Sequence, residues 1–353
     1  RTHPMLIFSL GDLARLHSRF EEALGWYQQA ETLWRERGMI TEVGRALRGQ
    51  ARVYLDTVNP SKAEELLQQA ILLSDGFEDR EAQVRLYELL AENKLNAGKP
   101  EEAERLSQQA ESLRSENPSD SQLVYRVLLR TGRLEEARRL LEKRAESERQ
   151  TPVHTPRAHR ETLFLLSLIY SLQGEGQAAH QAALEGARRA ETLDSPFVTG
   201  VGFMRLGHAA MLLPDQDRYS SARRHFESAV EISRQLSVPR LRVEALWGLC
   251  RAYGYTGDLL KAQQLAQEGI EIARQAGDEW VASLTRIALG ASFAQALREE
   301  SALEWLNQAA RGFQECSDPF GATAARLWIC LVWFRQRKLD LLAPLLNEVL
   351  ATC

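Results

Sequence analysis

The hydrophobic pattern of the chain is one repeated phrase: a turn, an alanine, a bulky residue four positions on, and a small residue three further. It reads Ala23-Tyr27-Ala30, Ala63-Leu67-Ala70, Ala103-Ser107-Ala110 and Ala137-Leu141-Arg144, with Ala145 beside the last. It continues as Ala179-Ala183-Gly186, Ala222-Phe226-Ala229, Ala262-Ala266-Gly269 and Ala302-Leu306-Ala309. The leading alanines follow one another at intervals of 40, 40, 34, 42, 43, 40 and 40 residues. A fixed period of this length marks a repeat architecture. Twelve residues before a leading alanine stands a small residue after a leucine, as in Leu10-Gly11, Leu90-Ala91, Leu166-Ser167, Leu249-Cys250 and Leu289-Gly290. An aromatic often follows three residues later: Tyr54, Tyr170, Tyr253 and Phe293.

The pattern predicts two antiparallel helices per repeat, A and B, whose small residues let the backbones approach while the bulky ones fill the gaps. Neither helix pair can bury its face alone, so neighbours must stack. Turn chemistry sets the boundaries. Gly98-Lys99-Pro100, Thr131-Gly132-Arg133, Gln173-Gly174-Glu175 and Thr256-Gly257-Asp258 separate A from B, with glycine ending the first helix in the left-handed conformation. Gly38, Gly76, Asn117-Pro118, Ser195-Pro196, Val238-Pro239, Gly277-Asp278 and Asp318-Pro319 mark the ends of the B helices. One domain over residues 1–353 is expected, with repeats at about 4–38, 41–76, 80–117, 119–148, 158–195, 197–238, 240–277, 279–317 and 318–353. Two stretches break the rhythm: 146–160, with Pro152 and Pro156, reads as a hinge or a tolerated insertion, and so does 213–221.

The ordered Leu-Gly, Tyr, Ala, Phe and Ala positions resemble the tetratricopeptide consensus over about residues 4–316. That resemblance implies an all-α, right-handed superhelical solenoid of about eight to nine helix-turn-helix repeats. Repeats of about forty residues, with B helices ending in phrases like Arg274-Gln275-Ala276-Gly277-Asp278, are similar to the sensor region of MalT-like bacterial regulators.

Composition narrows the function. Ala, Leu, Arg, Glu and Gln, all good helix formers, dominate. The net charge of −4 does not suit a domain that neutralises many phosphates, so direct nucleic-acid binding is not expected. There is no run of eighteen apolar residues and no signal-peptide pattern, so no membrane role is expected. Cys250, Cys316, Cys330 and Cys353 form no Cys-x-x-Cys pair and no metal-ligand spacing with His, which fits a reducing cytoplasm. The chain begins at Arg1 rather than Met and reads as a piece of a longer protein. No zinc-protease, nucleophile-elbow or phosphate-loop motif occurs, so neither catalysis nor a cofactor is expected. The acidic pairs Glu21-Glu22, Glu64-Glu65, Glu101-Glu102 and Glu135-Glu136 open B helices, where they complement the helix dipole.

Candidate binding residues come from the A-helix positions expected to line the concave groove. The early repeats offer Arg45, Arg48, Arg52, Arg85 and Arg126; the later ones offer Phe164, Met204, Met211, Trp247 and Arg251. Arg45, Arg48 and Arg52 share one helix face. Either they grip a carboxylate, a phosphate or an acidic peptide, or Glu42, Glu88 and Glu92 pair with them in a solvated network. The apolar residues form a docking patch if exposed and core packing if superhelical twist turns them inward. In MalT-like proteins the repeat region binds an inducer or an inhibitory protein. The resemblance therefore implies a sensor that takes a protein or peptide partner, or a small-molecule inducer, in the concave groove. Forty-residue repeats also occur in polarity adaptors and in the peptide-pheromone receptors of Gram-positive bacteria, so a constitutive scaffold or peptide adaptor is the alternative. An uncapped terminal repeat leaves apolar surface bare, which keeps self-association open as well.

Overall fold

Eighteen helices follow one another as nine antiparallel pairs, and no strand occurs among the described residues. The structure is a computed structural model that describes residues 3–57, 59–74, 79–114, 122–150, 156–191 and 194–352. The pairs are α1 (Pro4–Leu16) with α2 (Phe20–Glu36), α3 (Ile40–Asp56) with α4 (Pro60–Ser74), and α5 (Arg80–Asn96) with α6 (Pro100–Leu113). Next come α7 (Leu123–Arg130) with α8 (Leu134–Gln150), α9 (Pro156–Gln173) with α10 (Gly176–Ala190), and α11 (Pro196–Ala210) with α12 (Arg218–Gln235). The last three are α13 (Pro239–Tyr255) with α14 (Leu259–Ala276), α15 (Glu279–Gln295) with α16 (Glu299–Glu315), and α17 (Pro319–Arg335) with α18 (Leu339–Thr352). Of the hinge expected at 146–160, residues 146–150 end α8, 156–160 open α9, and 151–155 lie outside the described residues.

The repeated phrase is the packing seam. All eight leading alanines, from Ala23 to Ala302, are 0 % exposed, and Tyr27, Leu67, Leu141, Phe226 and Leu306 fill the gaps beside them just as completely. A larger residue at an alanine position would hold two helix backbones apart, and in a close-packed interior that strain has nowhere to go.

In seven of the pairs the turn between the helices carries one left-handed residue. Glycine supplies it at Gly98, Gly132, Gly174 and Gly257, with φ of 71, 74, 83 and 89°. The first, eighth and ninth pairs use Ser18, Leu297 and Arg337 instead, at φ of 61, 58 and 58°. A side chain in that region costs about 1–2 kcal/mol, and Leu297 is 69 % exposed, so it recovers little by packing. Leu297→Gly is therefore expected to stabilise the chain by about 0.5–1 kcal/mol, after allowing for the extra freedom of an unfolded glycine. A thermal melt checks this; an equal or lower midpoint would refute it.

Successive turns of the superhelix touch. The turn within the first pair meets the start of α11, where Ser18 Oγ lies 3.2 Å from Ser195 Oγ and Phe197 N donates to Ser18 Oγ at 3.2 Å. The rings of Phe20 and Phe197 meet edge-on at 6.5 Å. The third pair's turn lies against the approach to α15, since a Cβ at Gly98 would stand 3.4 Å from the carbonyl oxygen of Gly277. The fourth pair's turn meets the start of α17, where a Cβ at Gly132 would fall 2.5 Å from Asp318 Oδ1 and 2.7 Å from Phe320 Cβ. In each case a turn sits on the first helix of the pair five places later. The tightest link is the buried pair of Arg130 and Asp278, whose two hydrogen bonds measure 2.6 and 2.9 Å. The Arg130 guanidinium also lies 4.4 Å above the Trp280 ring.

Asp318 completes this junction by accepting from Gly321 N at 2.9 Å and Trp280 Nε1 at 2.8 Å. Burial nonetheless lifts its carboxyl to about 6, against the downward pull of those hydrogen bonds and of Arg130. An acid whose pKa is higher in the folded chain than in the unfolded one is bound more tightly by protons when folded. Its contribution to stability is complete below the ordinary carboxylate value of 3.8 and is lost as pH rises through about 6. Hydrogen exchange in α17, corrected for intrinsic rate, should slow as pH falls from 7 toward 4.5, and Asp318→Asn should remove that part of the slope. An unchanged slope in the variant would assign it to another group.

Candidate functional site

Charged side chains from alternate helices meet along one wall. In α3, Arg45 holds Glu42 at 2.9 Å, and in α5, Arg85 holds Glu81 at 2.7 Å. These are pairs within single helices at i,i+3 and i,i+4 spacing. Arg126 of α7 reaches back to Glu92 of α5 in an ion pair, and Arg114, which ends α6, pairs with Glu88. Burial works to raise the Glu92 carboxyl, but Arg126, Arg240 and Arg52 outweigh it and hold it below the ordinary range. Further along, Arg205 of α11 donates to the Phe164 carbonyl oxygen at 3.1 Å and to Glu244 of α13 at 3.2 Å.

Because the superhelical turns touch, the start of α13 comes to face α7. Arg240 stands there, half-buried, within the field of Arg126 and Arg130. Burial first, and then those two cations, hold its pKa below the usual arginine value; Glu244 and Asp278 offset this only in part. It makes no ion pair or hydrogen bond among the described residues. Arg48 of α3 is in a similar position: burial, then Arg85, Arg52 and Arg45, bring it down to about 10.

Beside this wall lies a ring stack. His208 of α11 is 0 % exposed, between Phe226 at 4.8 Å and Trp247 at 4.3 Å, and Arg251 Nη1 lies 3.5 Å from its Nδ1. Burial, with Arg251 and Arg205, pushes its pKa well below the ordinary histidine value, so the ring is neutral. His208 Nε2 and Trp247 Nε1 are both buried without a hydrogen-bond partner among the described residues.

The structure brings Arg45, Arg52 and Arg85 around Arg48, and the charge of each lowers its pKa. Arg126 joins the neighbouring Glu92 and Arg240 group, and Arg251 stands apart beside Trp247. Of the network weighed in the sequence, Glu42 pairs with Arg45, whereas Glu92 pairs with Arg126 and Glu88 with Arg114. The apolar patch is corrected: Phe164, Met204, Met211 and Trp247 are 5, 2, 5 and 3 % exposed and belong to the core. Phe164 packs against Gly186 of its own pair, and the two methionines share a cluster with Phe226. Superhelical twist turns these register positions inward in the later repeats. Arg205, His208, Arg240 and Glu244 were not singled out as binding residues in the sequence, and Asp278 entered only as a turn residue. Glu244 stands 18 residues before Ala262, the same offset that separates Arg45 from Ala63, so register could have found it. Nothing in the sequence pointed to Arg240 or to the pairing of Asp278, whose partners come from the adjoining superhelical turn.

Burial pushes the Cys250 and Cys316 thiols up to about 12, which leaves them inert as nucleophiles. Among the described residues no cluster of three or more His, Cys, Asp or Glu could hold a metal ion, and no helix is long and apolar enough to cross a membrane.

No protein-family model matches the chain, and no curated protein matches it in sequence. Solved structures do match in fold. A Rap protein in complex with Competence and Sporulation Factor is 13 % identical at a TM-score of 0.62, with 99 % of each chain covered. The Cut9–Hcn1 hetero-tetramer of APC/C is 15 % identical at a TM-score of 0.51, covering 99 % of this chain and 73 % of that one. The tetratricopeptide-repeat sensor protein PH0952 from Pyrococcus horikoshii, a signal-transduction ATPase with numerous domains, is 13 % identical at 0.44, covering 92 % and 45 %. The fold is that of tetratricopeptide-type helical-repeat solenoids.

Proposed function

We propose that this chain is a non-catalytic repeat domain that binds a peptide, or a segment of a partner protein, along the wall formed by α5, α7 and α13, as the cytoplasmic sensor region of a larger signalling or transcription regulator. The observation that carries this reading is the cluster of Glu92, Arg126 and Arg240. Glu92 and Arg126 are both 28 % exposed, so their ion pair is open to exchange, and Arg240 beside them has no carboxylate of its own. A partner that presents an acidic side chain there gains a charge-assisted hydrogen bond without stranding a buried charge. The Rap structure lends support, because a chain following the same path over its whole length was crystallised with a bound factor. Buried, free Cys250, Cys316 and Cys330 fit a reducing compartment.

The test is fluorescence anisotropy with labelled acidic, neutral and basic peptides, at low and high salt. Acidic peptides should bind best and weaken with salt, and Arg240→Gln should reduce their affinity about ten-fold with no fall in melting midpoint. Equal binding of all three peptide classes, or tight binding by Arg240→Gln, would sink the reading. A metabolite that binds where peptides do not would replace it with a small-molecule inducer.

A further inference from the structure

A recess of about 50 Å³ opens between the start of α3, the end of α4 and the start of α5. It offers more room than one ordered water needs. Arg45 and Arg48 line it from α3 and Arg85 from α5, with apolar surface that includes Leu73 and Leu86. Two of the three cations are satisfied by their own helices, through Glu42 and Glu81. The third is not: Arg48 has neither an ion pair nor a hydrogen bond among the described residues. Asp12, whose charge favours it, already accepts the Tyr27 hydroxyl at 2.6 Å. Asp79 also borders the recess, but its carboxylate accepts Ala82 N at 3.0 Å and so caps α5.

Arg48 is therefore a cation without an ion-pair or hydrogen-bond partner among the described residues, in a small, partly apolar cleft. Taking a cation out of water without a partner is costly, and the field of Asp12 offsets that cost only in part. Arg48 remains protonated at neutral pH even so, because burial and its cationic neighbours bring it only to about 10. A planar guanidinium with its fork of donors unused matches the two oxygens of a carboxylate or phosphate.

We infer that this recess is a binding site for a single oxyanion, a carboxylate or a phosphate, held by the Arg48 fork with Arg45 and Arg85 at its flanks. The site is separate from the Glu92, Arg126 and Arg240 wall and does not depend on what binds there. Two sources can supply the oxyanion. A free inorganic ion would sit in the recess alone. The C-terminal carboxylate of a peptide would bring an aliphatic side chain to lie on Leu73 and Leu86.

Hydrogen–deuterium exchange of α3 and α5 separates the two, read in sodium phosphate against sodium chloride of equal ionic strength. A parallel arm compares a short aliphatic peptide carrying a free C-terminus with its amidated form. Protection by phosphate alone assigns the site to small ions, and protection by the free-acid peptide alone assigns it to peptide termini; either supports the proposal. Arg48→Gln should weaken whichever ligand protects by about ten-fold or more. Arg48→Lys, which keeps the charge but loses the fork, should fall between the two. Circular dichroism confirms that both variants are folded. The proposal is overturned if chloride protects as well as phosphate and amidation makes no difference, or if Arg48→Gln binds as tightly as the parent chain.

Discussion

Arg130→Met is expected to destabilise the junction between the fourth and eighth helix pairs by about 3–5 kcal/mol. The methionine keeps the length of the side chain but removes the guanidinium, which leaves Asp278, 7 % exposed, without its hydrogen-bonded cation. The Trp280 ring loses its stacked charge in the same step. Hydrogen exchange should rise in both α7 and α15, although 148 residues separate the two partners. Arg133→Met supplies the control: Arg133 pairs with Glu136 at 2.7 Å, but it is half exposed, so its loss should cost no more than about 1 kcal/mol. Equal effects from the two substitutions would mean that the inter-turn pair is no stronger than a surface one. Replacing both Arg130 and Asp278 with apolar residues should restore much of the loss, because the larger penalty lies in the stranded charge rather than in the missing attraction.

A comparable effect is expected from a single methyl group in the sixth and seventh pairs. The Phe226 ring is 0 % exposed and lies between Gly207 of α11 and Gly248 of α13. A Cβ added at Gly248 would stand 2.2 Å from the ring. Alanine gains about 1 kcal/mol over glycine in a helix interior, but here either the ring or the helix must move. Overpacking of this kind costs about 1–3 kcal/mol, and with so close an approach the upper end should prevail, for a net loss of about 2 kcal/mol. Gly25→Ala in α2 shows the opposite case, since nothing lies within 4 Å of the added atom, and that variant should be more stable. Phe226→Leu, introduced together with Gly248→Ala, should recover part of the loss by vacating the space. A Gly248→Ala variant that melts with the parent chain would refute the close packing of the Phe226 ring between α11 and α13.

How much of this was legible in the sequence follows from the range of each interaction. The alanine seam was plain because helix crossings punish a larger side chain wherever they recur, and every crossing uses the same positions. Left-handed turns were visible where glycine marks them, and invisible at Ser18, Leu297 and Arg337, where the same geometry is imposed on ordinary residues. Arg45 with Glu42, and Arg85 with Glu81, lie within one helical turn of each other, so spacing alone proposes the pairs. Arg130 with Asp278, and Arg240 facing α7, depend on the pitch of the whole superhelix. That pitch is the sum of small rotations between neighbours, which no single window of sequence encodes. The same accumulated rotation buried Phe164, Met204, Met211 and Trp247, although their register matched that of the exposed arginines.

A solenoid whose repeats touch only their neighbours behaves as an open spring: pulled at its ends, it lengthens coil by coil at low force. In this chain the coils are fastened to one another where Ser18 meets Ser195 and where Arg130 meets Asp278. Tension must first break those fastenings before the coils can part. The molecule should resist extension up to a threshold and then yield abruptly, more like a clasped bracelet than a coil of wire. A partner that wraps inside it would be released in one event rather than by gradual loosening.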